Sequence, residues 1–123
     1  MKKVYIWGTG RYSNAVYKTI DKNQCRIVGF IDSNREKQGK QWENCIPILA
    51  PQILSIAVYD YIFVSVKDYQ PVLQHCFQLK IPVEKVIPFW KSDEKIPYVD
   101  GEKKKIVELE EQIETLKKDT ERY

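Results

Sequence analysis

The stretch "VYIWGTGRYSNAVY", residues 4–17, decides how the rest of the chain is read. Residues 4–7 are aromatic or β-branched and have strand character. Two glycines one residue apart follow, and then Ala15, Val16 and Ile20 fall on one side of a helix predicted over 12–22. Strand, tight turn and helix in that order open a βαβ unit. A glycine at position 8 permits the turn, and a second at position 10 lets main chain approach a pyrophosphate with no Cβ in the way. The helix start adds unpaired N–H groups and the positive end of its dipole. The third place of the GxGxxG pattern holds Ser13, small enough for close helix–strand packing and able to donate a hydrogen bond.

The second strand-like run, "RIVGFI" (26–31), ends at Asp32, 22 residues after Gly10. A dinucleotide-binding domain places there the acid that accepts hydrogen bonds from a ribose diol. Arg35 and Lys37 close by leave the choice between NAD and NADP open. Arg11 stands at the mouth of the glycine loop, where a planar guanidinium suits a phosphate. Ser65 and Lys67, in "VSVKD", fall at the carboxyl end of a fourth strand, beside the point where strand order reverses and ligands collect. The same residues also have a purely structural reading: Gly8 and Gly10 serve only the turn, Asp32 caps the loop "DSN", and Arg11 is a solvated side chain.

"KVYIW" (3–7), "RIVGFI" (26–31), "IPIL" (46–49), "YDYIFVSV" (59–66) and "VEKVIPF" (83–89) read as strands, alternating with helical stretches at 12–22, 50–56 and 68–80. In the last of these, Val72, Leu73, Cys76, Phe77 and Leu79 form an apolar stripe, Asp68 is placed to N-cap it, and Pro71 sits in its first turn. Such alternation predicts right-handed crossovers and a small, doubly wound, parallel α/β sheet of order 3-2-1-4-5. Residues 1–90 form this nucleotide-binding domain, and 91–101 a polar linker. Residues 102–123 form an amphipathic helix with Ile106, Leu109, Ile113 and Leu116 at a and d heptad positions, continued at Thr120 and Tyr123. That narrow seam calls for a partner. The options are its own domain, a second copy in a coiled-coil homo-oligomer, or a fused downstream domain.

Composition bounds the function. With 123 residues, 43% hydrophobic, there is a core for one domain but no second lobe to hold a substrate against a nicotinamide. Residues 1–90 carry 12 Lys/Arg against 7 Asp/Glu, net +5, and residues 91–123 carry 8 against 10, net −2. The positive balance suits a phosphate-bearing ligand but is too diffuse for nucleic acid. Cys25, Cys45 and Cys76 form no CxxC pair and read as small core hydrophobes, with no metal site and a reducing, cytoplasmic setting. The start "MKK" is not a signal peptide, and no window approaches a membrane span. No catalytic constellation is found. His75 is the only histidine and reads as partly exposed, no YxxxK dyad occurs, and Glu108, Glu110, Glu111 and Glu114 read as a solvated helix face. Trp7, Trp42 and Trp90 read as packing residues.

Residues 1–90, through "KVYIWGTGRYS", "GFIDSN" and "KQGK…IPIL", resemble the small Rossmann-like, CoA-, NAD- or nucleotide-sugar-binding domains of bacterial sugar-modifying proteins. Such domains precede the acyltransferase part of some sugar acetyltransferases. Others accompany methyltransferases, glycosyltransferases or nucleotide-sugar dehydratases of surface-polysaccharide pathways. The resemblance implies that Gly8, Gly10, Arg11 and Asp32 surround a nucleotide, either NAD or a UDP- or dTDP-type nucleotide sugar. Two departures stand out, Ser13 for the third loop glycine and Cys45 for a glycine before "IPIL". The expectation is therefore a nucleotide-binding module of a transferase-type protein. A ligand-free scaffolding module and an NAD(H)-responsive regulator or oxidoreductase fragment are the alternatives.

Overall fold

A computed structural model describes residues 1–42, 45–91 and 96–121, the last four by backbone alone. Linker residues 92–95 and Tyr123 of the heptad continuation lie outside what is described, and Thr120 is described by its backbone only. The elements in order are β1 (Lys2–Trp7), α1 (Ser13–Thr19), β2 (Cys25–Ile31), β3 (Gln41–Trp42), β4 (Ile46–Leu49), a 3-10 turn (Pro51–Ser55), β5 (Tyr61–Val64), α2 (Gln70–Gln78), a 3-10 turn (Val83–Lys85), β6 (Val86–Pro88) and α3 (Gly101–Glu121).

They make one six-stranded sheet of order β3-β4-β2-β1-β5-β6, with every pair parallel except β3–β4. This differs from the expected 3-2-1-4-5 by an added edge strand. Gln41 and Trp42 pair antiparallel with Pro47 and Ile46 at the outer side of β4. Two residues are too few to show a strand period in the sequence.

The central strands are buried on both faces. Tyr5, Trp7, Ile62 and Val64 pack with Leu54, Val72 and Cys76 of the 3-10 turn and α2. Val4, Ile6, Phe30 and Phe63 pack with Val16 and Ile20 of the α1 side and with Phe89 and Ile96. Helix α2 is shorter than the expected 68–80, and its N-cap is Tyr69, with no side-chain cap bond, so Asp68 is not the cap. Phe77 is 84% exposed and stands outside the stripe, because α2 turns Val72, Leu73, Cys76 and Leu79 toward the core and leaves Phe77 on the far side. Cys25 and Cys76 are buried, and burial pushes the Cys76 thiol up to about 11. Cys45 is exposed at a left-handed turn (φ 63°), so it is not a core residue.

The segment before α3 is docked on the domain. Val99 bridges to Ile20, Asp21 N–H donates to Tyr98 O at 2.8 Å, and Asp100 N–H donates to Thr19 O at 2.9 Å. Asp100 then caps α3, its Oδ1 accepting from Glu102 N at 3.0 Å and Lys103 N at 3.2 Å. Helix α3 turns Lys104 and Val107 toward the domain, with Lys104 Nζ 5.6 Å from the Phe89 ring centroid. Leu109 and Ile113 are 58% and 52% exposed on the other side, and Ile106, at the rim of the groove toward α1, is 55% exposed. Among the described residues no helix is long and apolar enough to cross a membrane.

Candidate functional site

The parallel strands bring the expected site residues to one end of the sheet, where β1, β2 and β5 terminate together. The strand ends are cross-tied. Gly8 N–H donates to Ile31 O at 2.7 Å, Asp32 N–H to Leu49 O at 3.1 Å, and Ser65 N–H to Trp7 O at 3.0 Å. Gly8 has φ +116°, and a Cβ there would lie 2.5 Å from Ser65 Oγ. Its glycine is thus required by backbone and by packing alike.

Ser65 is buried and donates its hydroxyl to Trp7 O at 2.9 Å, while its own carbonyl accepts from Trp90 Nε1 at 2.9 Å. Ser13 is buried as well and donates to Gly10 O at 2.7 Å. Both serines are therefore engaged in shaping the loop.

The crest of the loop is different. Among the described residues, the N–H groups of Thr9, Gly10, Arg11 and Tyr12 donate to no acceptor in the chain. A Cβ at Gly10 would meet nothing within 4 Å. Four successive amides and an unobstructed backbone form the most ligand-ready surface of this region.

Asp32 is tied to the loop. Thr9 Oγ1 donates to Oδ2 at 2.5 Å, Asn34 N–H donates to Oδ1 at 2.8 Å, and Lys37 Nζ lies 3.8 Å from Oδ2. The carboxylate thus caps "DSN" and pins the crest at once. It keeps acceptor capacity, since a carboxylate offers about four lone-pair positions and two are used here.

Arg11, in the crest just before α1, and Lys67, in the loop that follows β5, both reach carboxylates of α3. Arg11 pairs with Glu114 and Lys67 with Glu111. Glu111 is therefore not on a freely solvated face. Its side chain is only 12% exposed, and the Lys67 ammonium bonded to it holds its carboxyl below the usual range. Tyr12 and Trp90 meet edge to face beside the crest, with centroids 5.1 Å apart. A hollow of about 160 Å³ lies between Arg11, Tyr12 and α3, while a groove of about 620 Å³ runs between α1 and α3. The larger space is thus away from the glycines.

Lys37 lies beside Asp32, as its place in the sequence leads one to expect, whereas Thr9, Tyr12, Trp90, Glu111 and Glu114 were not legible as neighbours of this site. Only Thr9 carried a signal, as the residue between the two glycines. His75 stands apart, half-buried against the Trp7 ring at 5.3 Å. Among the described residues no group of three or more His, Cys, Asp or Glu is placed to hold a metal ion.

The profile of the C2185-like N-terminal domain family matches residues 1–87, which hold the sheet, the glycine loop and Asp32. The chain belongs to that family. The C2185-like domain has a Rossmann-like fold, shared with the crystal structure of UDP-D-quinovosamine 4-dehydrogenase from Vibrio fischeri. The two are 18% identical, with a TM-score of 0.50, and the match covers 65% of this chain and 73% of that one. No curated protein sequence matches the chain. At such low identity the likeness concerns the fold, and α3 lies beyond the residues that the C2185-like profile matches.

Proposed function

We propose that this C2185-like chain is the nucleotide- or nucleotide-sugar-binding module of a bacterial sugar-modifying, transferase-type protein. The diphosphate rests against the amides of Thr9–Tyr12, with Gly10 leaving room for it. Asp32 accepts from the ribose hydroxyls, and Arg11 and Lys67 supply the flanking positive charge. Gly8, Ser13 and Ser65 hold the loop in shape without touching the ligand. The ligand is of UDP or dTDP type, or NAD.

The observation that carries this reading is the set of four consecutive unpartnered amides beside an unobstructed glycine. The fold adds support, since the neighbour named as a UDP-sugar dehydrogenase is built on it. Chemistry on the sugar belongs to another domain, to which α3 leads. Calorimetric titration with UDP, a UDP-sugar, dTDP and NAD tests the reading. Saturable heat with one of them, weakened at least several-fold by Asp32→Ala, is the expected result, and no heat at millimolar ligand would refute it.

The pairs Arg11–Glu114 and Lys67–Glu111 favour a second reading, in which the chain satisfies its own cations and the domain is a ligand-free scaffold joined to other protein by α3. Replacing Glu111 and Glu114 by Gln separates the two. A binder gains nucleotide affinity when competing carboxylates leave, whereas a scaffold only loses stability.

A further inference from the structure

We infer that the outward face of α3 is a dimerisation seam that pairs in parallel and in register with the same helix of a second copy. The inference rests on reading α3 as an attachment element and does not depend on a nucleotide at the loop. Helix α3 has two faces. Lys104, Val107 and Glu111 face the domain at f and b heptad positions. Leu109 and Ile113, at d and a, lie on the opposite side, 58% and 52% exposed, and Ile106, at a, is 55% exposed at the rim of the groove toward α1. Leu116 continues the spacing at d. Docking on α1 thus leaves the apolar seam outside.

The residues of the seam say what covers it. β-branched Ile at a with Leu at d is the pattern that favours two parallel strands over trimers or tetramers. The flanking charges agree. In a parallel pair, each g residue meets the e residue of the next heptad across the interface, which sets Lys105 against the partner subunit's Glu110, twice by symmetry. Docking also lifts the usual limit on so short a seam. Asp100 caps the helix and the domain holds its first half, so the ordering of an isolated two-heptad helix is already met.

Sedimentation equilibrium on the full chain, from micromolar to millimolar, tests this together with Leu109→Lys and with Ile106→Cys in a Cys45→Ser background. The expected result is a reversible monomer–dimer equilibrium, weakened about tenfold or more by Leu109→Lys, which removes a buried leucine and adds repelling charges. The Ile106→Cys chain is expected to form a disulfide-linked dimer on mild oxidation. Matching a positions lie side by side in a parallel pair and too far apart to be bridged in an antiparallel one. A dimer sensitive to Leu109→Lys that never cross-links at 106 overturns the parallel register. A monomer at every concentration overturns pairing with a second copy and leaves the seam to a further domain or another protein. A dimer indifferent to Leu109→Lys overturns pairing through α3 and removes the argument for α3 as an attachment element. Far-ultraviolet circular dichroism of each variant keeps an unfolded chain from being counted as a monomer.

Discussion

Gly8 and Gly10 stand two residues apart in one loop, yet different things require them. Gly8 is held at φ +116° with Ser65 Oγ where its Cβ would be, so the fold itself demands a glycine. Gly10 has ordinary backbone for any residue and open space around it, so nothing inside the chain demands one. A motif of paired glycines is therefore two observations, one about folding and one about what approaches from outside. Only the second bears on a ligand.

The contrast breaks most readily at its stronger end. Gly8→Ala is expected to lower stability by about 3 kcal/mol, from a disfavoured φ and a side-chain overlap in a packed site. Urea unfolding reads this. Adding Ser65→Ala should return only part of the loss, because the backbone strain remains.

Asp32→Ala comes next, expected at about 2 kcal/mol from the partners it leaves at Thr9 and Asn34. Thr9→Val should cost about half as much by the same measurement. A loss near zero for Asp32→Ala would mean that the loop does not depend on its tie to β2.

Gly10→Ala is expected to change stability by less than about 1 kcal/mol in either direction. It should weaken nucleotide binding at least tenfold, since a methyl group then stands against the phosphates. If Gly10→Ala proves as damaging to the fold as Gly8→Ala, the two glycines do the same job and the contrast collapses.

The smallest effect concerns α3. Glu111 carries a pKa lowered by Lys67, so its pairing contributes stability above its ordinary value near 4.5. That contribution is lost as pH falls through the lower folded value. Glu111→Gln should flatten stability over that acid range while changing it by no more than about 1 kcal/mol at pH 7, because the Lys67 end of the pair is half exposed. Stability at pH 7 that also fades with added salt would confirm the electrostatic origin.

Much of the fold was readable because its signals are local and repeated. β-branched runs of strand length alternate with helical stretches, and the first turn carries its glycines, so the parallel sheet and the place of Asp32 followed. What was missed depends on contacts distant in sequence. Nothing near Arg11 shows that Glu114 will reach it, and nothing near Lys67 points to Glu111, 44 residues on. The docked face of α3 was hidden too, because it uses the stem of Lys104 beside Val107, while the recognisable apolar seam faces away. Edge strand β3 and the exposure of Phe77 escaped for a simpler reason. Two residues carry no period, and a helix stripe wider than the contact it makes cannot show which member is left outside.

The amides of Thr9, Gly10, Arg11 and Tyr12 can be watched one by one, by amide-resolved NMR of the full chain titrated with a UDP-sugar and with NAD. Saturable shifts that begin at these four amides and extend to Asp32, and that vanish in Gly10→Ala, are the predicted result. Titration to millimolar ligand with these four resonances unmoved would mean that the loop holds no nucleotide.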